Sequence, residues 1–294
     1  MIKLNDSLVE FEEFPNGETL LVKESIQHSL KDGKENHIHF KYESDKDLIR
    51  LMILKKHIDN WTGMFDIKIA LHIYYMPYSR MDRSEDMSAF TLKHVAEFIN
   101  SLNFNHVFVY EPHSDVTPAV LNRAESVFIN FDLIEKVKQE VGFNIEEDYI
   151  MFPDAGASKR YGKMNAKNVA IGHKQRNFQT GQIEGFDVVF NSHEDTRGKK
   201  VIIVDDMTSY GGTFIHSEIA LRKLHGFKEV YLLVAHAENS VLHGNPKTGI
   251  NLFDHIDKVF TTDSILTEQN NWEFKKFAPQ LHIYSLEEYI NERL

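Results

Sequence analysis

The densest chemistry in the sequence lies in Val201-Ile202-Ile203-Val204-Asp205-Asp206-Met207-Thr208-Ser209-Tyr210-Gly211-Gly212-Thr213. Four apolar residues have the length of a buried strand, and two carboxylates follow at its C-terminal end. A short glycine-containing loop then opens a helix. Glycine lets backbone N–H groups come close to an anion, and a helix N-terminus adds favourable partial positive charge. Adjacent carboxylates suit the 2- and 3-hydroxyls of a ribose, or a nearby Mg²⁺. A plain strand–turn–helix with acidic capping is the alternative reading of the same residues.

Further polar clusters sit at the ends of short apolar runs. Arg80 and Arg83 flank Asp82, and two planar guanidinium forks can grip a triphosphate bidentately. His113 in Glu111-Pro112-His113-Ser114-Asp115 is a candidate metal ligand through neutral imidazole. Asp154 follows Tyr149 to Phe152, and Gly156 lets the chain approach a diphosphate. Lys174 and Arg176 form a basic pair in Gly172-His173-Lys174-Gln175-Arg176. Phe14-Pro15-Asn16-Gly17-Glu18 carries an Asn-Gly pair that favours a hairpin turn. His37, His39 and His72 have no such context and read as structural.

The elements that must position these groups alternate between strands and helices. Strands are expected over Ile67 to Tyr75, Val107 to Tyr110, Tyr149 to Phe152, Asn168 to Gly172, Val201 to Val204 and Val230 to Ala235. Helices are expected over Ser88 to Leu102, Phe131 to Val141 and Thr213 to His225, the last ended by Gly226. Such alternation predicts an α/β chain of two similar halves, 1–140 and 141–294, with ligands at the carboxyl ends of strands.

Composition narrows the chemistry. The 294 residues carry 33 Lys+Arg against 44 Asp+Glu, a net charge of -11, which argues against nucleic-acid binding. No cysteine is present, so disulfides, thiolate zinc sites, iron–sulfur clusters and Cys nucleophiles are excluded. No apolar run is long enough for a membrane span and no leader is evident, so a cytoplasmic protein is expected.

Taken in order, the motifs resemble those of the ribose-phosphate pyrophosphokinase family. The resemblance runs from about Phe14 to Ile265. It implies two tandem phosphoribosyltransferase-like domains, each a mostly parallel sheet flanked by helices. It further implies transfer of the β,γ-diphosphate of ATP to the anomeric hydroxyl of ribose 5-phosphate, with Mg²⁺. Phe14, Asn16 and Glu18 then match the segment that binds adenine, often from a neighbouring subunit, and Arg80, Asp82 and Arg83 the ATP-binding segment. His113 and Asp154 match the magnesium-side ligands. Lys174 and Arg176 match the catalytic loop, and the resemblance counts His113, outside that loop, as catalytic too. Asp205, Asp206, Ser209, Tyr210, Gly211, Gly212 and Thr213 match the ribose and phosphate loop. A homo-oligomer, a dimer or higher, follows from the same likeness.

Two departures stand out. Met81 replaces the family's glutamine, and the bulky Tyr210 interrupts a loop usually built of small residues. The second departure admits an acceptor with a larger 5-substituent beside ribose 5-phosphate. A similar group in phage NAD⁺-rebuilding pathways uses ADP-ribose as acceptor. Non-catalytic regulatory partners also occur in the family, but retention of the acids and cations above argues against that role.

Overall fold

Short apolar runs become strands and the amphipathic stretches between them become helices. The computed structural model describes residues 1–61, 67–85, 87–176, 183–192, 195–266 and 278–293. The chain divides into two units, Met1–Phe128 and Ile129–Leu294.

In the first unit the elements are β1 (Ile2–Leu4), β2 (Ser7–Leu8), β3 (Phe11–Glu13), β4 (Thr19–Leu21), β5 (Asn36–Phe40), α1 (Lys46–Trp61), β6 (Ile69–Ile73), α2 (Thr91–Ser101), β7 (His106–Tyr110), α3 (Val116–Val120) and β8 (Ala124–Val127). One sheet has the order β2-β1-β5-β6-β7-β8, and β3 and β4 form a separate hairpin. Strand β1 runs antiparallel to β2 and β5, while β5 to β8 are parallel.

Strand alternation sorts this sheet into two faces of different chemistry. Ile38, Phe40, Leu71, Ile73, Val107 and Val109 join one core cluster with Leu51, Leu54 and Ile58 of α1 and Leu92, Ala96 and Ile99 of α2. Each fully buried side chain of this kind contributes roughly 1.5–3 kcal/mol. His37, His39, His72, Phe108 and Tyr110 occupy the alternate positions. His39 stacks on His72 at 4.9 Å between centroids, and His72 on Phe108 at 4.8 Å. His37 Nδ1 lies 2.9 Å from His72 Nε2, and His72 Nδ1 lies 2.8 Å from the Tyr110 hydroxyl. His37, His72 and Tyr110 thus form a hydrogen-bonded chain, with His39 stacked on its central member.

The second unit comprises α4 (Asn130–Glu140), β9 (Tyr149–Phe152), α5 (Ala155–Tyr161), β10 (Asn168–Arg176), β11 (Ile183–Phe190), β12 (Lys200–Thr208), α6 (Gly212–His225), β13 (Glu229–Ala237), β14 (Lys258–Thr262), β15 (Leu281–Tyr284) and α7 (Leu286–Asn291). Its sheet has the order β11-β10-β9-β12-β13-β14-β15 and is parallel except for the β10–β11 pair. From β9 the chain builds outward first to β10 and β11, then on the other side to β12 and beyond. The order therefore reverses between β9 and β12, where a crevice opens at the carboxyl ends. Tyr149, Met151, Val201, Ile203, Val230 and Leu232 share a core cluster with Phe214, Ile215 and Leu221 of α6. Gly226 ends α6 in the left-handed region, at φ 70°. Among the described residues no helix is long and apolar enough to cross a membrane.

Burial, helped by the neighbouring His39 and His37, pushes the His72 imidazole down to about 2. Folded His72 stays neutral where an unfolded histidine takes up a proton, so its stabilising effect is present above about pH 6.5 and is lost as pH falls toward 2. Urea unfolding at pH 7.5 and 5.5 checks this. Wild type is expected to lose about 1.4 kcal/mol more than His72→Phe over that interval; equal losses would refute the assignment.

Candidate active site

Strand β9 pairs with β12 only from Val201 to Ile203, whereas β13 stays beside β12 as far as Thr208. Beyond Ile203 one edge of β12 has lost its neighbour, and Asp205 and Asp206 emerge there, at the switch point. Asp206 is nearly buried and lies 3.4 Å from the Arg160 guanidinium of α5. The Asp206 backbone N–H donates to Asp205 Oδ1 at 2.9 Å. Burial pushes the Asp205 carboxyl well above the ordinary range, and the Asp206 and Asp154 carboxylates add to the rise. Such a cluster favours a bound cation or a hydroxyl that donates hydrogen bonds.

The loop Ser209 to Gly211 carries the chain from β12 into α6. Gly211 caps the helix at φ 78°, and its carbonyl accepts from Phe214 N and Ile215 N, both at 3.0 Å. A Cβ on Gly211 would lie 2.7 Å from Leu252 Cδ1, so glycine is required by both backbone and packing. Among the described residues a Cβ on Gly212 would meet nothing within 4 Å, and Gly212 is exposed. Gly212 and Thr213 open the first turn of α6, where every helix start leaves N–H groups without intrahelical partners. Ser209 and Tyr210 are half-buried beside it.

Asp154 caps α5, its Oδ1 accepting from Ala157 N at 3.0 Å. Strand β10 passes close to the same turn. A Cβ on Gly172 would lie 2.7 Å from the Pro153 carbonyl oxygen and 2.5 Å from Phe186 Cζ. Glycine here lets the strand bearing Lys174 and Arg176 run against the segment bearing Asp154. The backbone of Lys174 and Arg176 forms the end of β10, with a register shift between Gln175 and Arg176. Their side chains lie outside the described residues.

In the first unit the expected residues also gather at strand ends. After β6, Tyr78 takes φ 61°, and its hydroxyl donates to Asp45 Oδ1 at 2.6 Å, bracing the loop to Arg80. Arg80 and Arg83 are exposed, and Arg83 Nε lies 3.4 Å from Asp82 Oδ1 and 3.5 Å from Glu85 Oε1. Met81, where an amide was expected, points its thioether side chain into solvent. After β7, the fully buried Glu111 takes φ 45° and turns the chain to the half-buried His113. Two side chains in left-handed conformations before candidate ligands are the kind of strain that collects at functional sites. Phe14 to Glu18 form the β3–β4 turn, where Asn16 Nδ2 donates to Glu18 Oε2 at 2.7 Å. The Phe14 ring at its tip is 52% exposed.

His113 belongs to the first unit and Asp154 to the second. Among the described residues no group of three or more His, Asp or Glu side chains is arranged to hold a metal. The Asp154 carboxylate, close enough to Asp205 to raise its carboxyl, is a hard oxygen ligand of the kind Mg²⁺ takes one or two of, its other ligands coming from phosphate and water.

No protein-family model matches the chain. It is 28% identical over 234 residues to a ribose-phosphate pyrophosphokinase of Pyrococcus abyssi, covering 78% of this chain and 75% of that protein. It is 31% identical over 237 residues to a ribose-phosphate pyrophosphokinase of Methanosarcina mazei, covering 78% of this chain and 72% of that protein. The chain belongs to the ribose-phosphate pyrophosphokinase family. The phosphoribosylpyrophosphate synthetase structure from Mycobacterium smegmatis shares the fold, with a TM-score of 0.72 at 20% identity over 97% of this chain and 88% of that one.

For a ribose-phosphate pyrophosphokinase the open side of the α6 loop is the informative feature. Gly211→Ala is expected to cost about 1–3 kcal/mol, because it forces a side chain into left-handed backbone and against Leu252. Gly212→Ala, where the added methyl meets no described atom, should melt with wild type. Thermal melts read both; a Gly211→Ala protein as stable as wild type would overturn the packing account.

Proposed function

We propose that the chain transfers the β,γ-diphosphate of ATP to the anomeric hydroxyl of ribose 5-phosphate. Family membership supplies the reaction class, an ATP-dependent diphosphotransfer in nucleotide biosynthesis. The observation that carries the reading is the Asp205–Asp206 pair at the sheet's switch point, followed directly by the open helix start at Gly212 and Thr213. The two carboxylates accept hydrogen bonds from the ribose hydroxyls. The 5-phosphate rests on the first turn of α6, among Ser209, Tyr210 and Gly211 to Thr213. The triphosphate is gripped by Arg80 and Arg83, the second of them oriented by Asp82. Phe14, Asn16 and Glu18 take the adenine, and the exposed Phe14 ring is suited to doing so across a dimer or larger homo-oligomer.

In the transfer the anomeric oxygen bonds to the β-phosphorus and loses its proton to water. The bond from that phosphorus to the α,β-bridging oxygen breaks, and AMP leaves. His113 and Asp154 would each offer a ligand to Mg²⁺, which would supply neutralisation of phosphate charge. Lys174 and Arg176 steady the diphosphoryl group as charge develops, so catalysis is mainly positioning and electrostatics. The site uses no nucleic acid and no membrane, and a cytoplasmic setting suits its substrates.

A second reading rests on Tyr210. This half-buried aromatic residue, two positions before Gly212, offers a stacking surface to a base of the kind an ADP-ribose-type acceptor carries, which would put the enzyme in NAD metabolism. Incubation with ATP, Mg²⁺ and either acceptor, following AMP, separates the readings. AMP with ribose 5-phosphate is expected. AMP with ADP-ribose alone would select the second reading, and AMP with neither would leave the non-catalytic partner. Lys174→Ala/Arg176→Ala is expected to lose roughly 10²-fold in kcat, with the KM for ATP nearly unchanged.

A further inference from the structure

The Asp205–Asp206 peptide emerges where β12 has lost its β9 neighbour, so its carbonyl has no ladder partner on that edge. It is met instead by a side chain 75 residues earlier: Asn130 Nδ2 donates to the Asp205 carbonyl at 2.8 Å. The same amide nitrogen donates to the Tyr161 hydroxyl at 3.2 Å. Asn130 is fully buried at the start of α4, and Tyr161 is fully buried at the end of α5. On its other side the peptide is held by the Asp206 N–H bond to Asp205 Oδ1. Both ends of this one peptide group are therefore fixed, which sets the directions in which the two carboxylates leave the chain. Helix α5 completes the grip, since Arg160 reaches the Asp206 carboxylate at 3.4 Å.

We propose that Asn130 is a positioning residue that holds the Asp205–Asp206 peptide so that both carboxylates face the ribose hydroxyls. The proposal rests on the reading of these acids as the ribose-binding pair. A carbonyl can only accept, so the amide must present its NH₂ side to Asp205. An apolar residue of the same size would fill the space but leave the carbonyl unpaired, at a cost of about 1–3 kcal/mol. Asn130→Asp is the sharper change, because it keeps the shape while setting a group without donors against the carbonyl.

Asn130→Asp, Asn130→Ser, Tyr161→Phe and Asp206→Asn test this, read by thermal melting, by KM for each substrate, and by calorimetric titration with ribose 5-phosphate alone. Asn130→Asp is expected to raise the ribose 5-phosphate KM about tenfold or more, the worth of one such hydrogen bond, while the KM for ATP stays within about twofold. Tyr161→Phe keeps the bond to Asp205 and should leave both KM values near wild type. If Asn130→Asp does not fold, Asn130→Ser, smaller and uncharged, should show the same selective rise. Equal rises for both substrates, or none, would overturn the inference while Asp206→Asn still raised the ribose KM. If Asp206→Asn left that KM unchanged, the reading of the acid pair itself would fail, and the role of Asn130 with it.

Discussion

Two carboxylates on adjacent residues at the mouth of a buried strand repel each other, and partial burial removes the water that would screen them. The second unit is organised around that constraint. One acid is matched by Arg160, the other is held with its carboxyl raised, and the peptide between them is pinned by Asn130 and by a carboxylate of its own. A fold meeting only its own stability would place apolar residues there. The arrangement is sensible when a ligand supplies the missing positive charge or hydroxyl donors.

The strain is tolerated because its supports are rigid. Behind Asp205, β12 is buried from Val201 to Val204 and flanked by strands on both sides over Val201 to Ile203. The same logic recurs in the first unit. Glu111, directly after β7, and Tyr78, five residues beyond the end of β6, adopt left-handed conformations, the first tied by its N–H to the Val127 carbonyl and the second braced through Asp45. In both units unfavourable local geometry is carried at the carboxyl edge of a sheet whose interior is apolar.

How much of this the sequence discloses depends on the range of the interaction. Tyr149–Phe152 and the β12–loop–α6 segment are legible because residue type, period and the closing Gly226 agree within one short window. Strands β10 and β12 run further than their apolar cores suggest, since pairing with β11 and β13 carries polar residues such as Lys174 and Asp205 into the ladder. Helix α1 is masked by the unbroken run Leu51-Met52-Ile53-Leu54, which has no distinct period, and its start depends on Asp47 accepting from Glu43 N and Ser44 N. The histidine-lined face of the first sheet is invisible until β5, β6 and β7 are set side by side. Asn130 gives no signal either, since a polar residue at a helix start reads as an ordinary cap and its real partner is on another strand.

Space around the α6 loop is also asymmetric. Leu252 closes the side at Gly211, where only a hydrogen fits, whereas among the described residues no atom lies within 4 Å of a Cβ placed on Gly212. Tyr210 immediately precedes this pair in the chain. The field of a helix terminus acts only over its first turn, so the charge on a ligand is fixed in place here whatever lies beyond it. Recognition of the phosphate and tolerance of a larger group on that phosphate then become separable: the first belongs to the backbone of Gly212 and Thr213, the second to a single side chain.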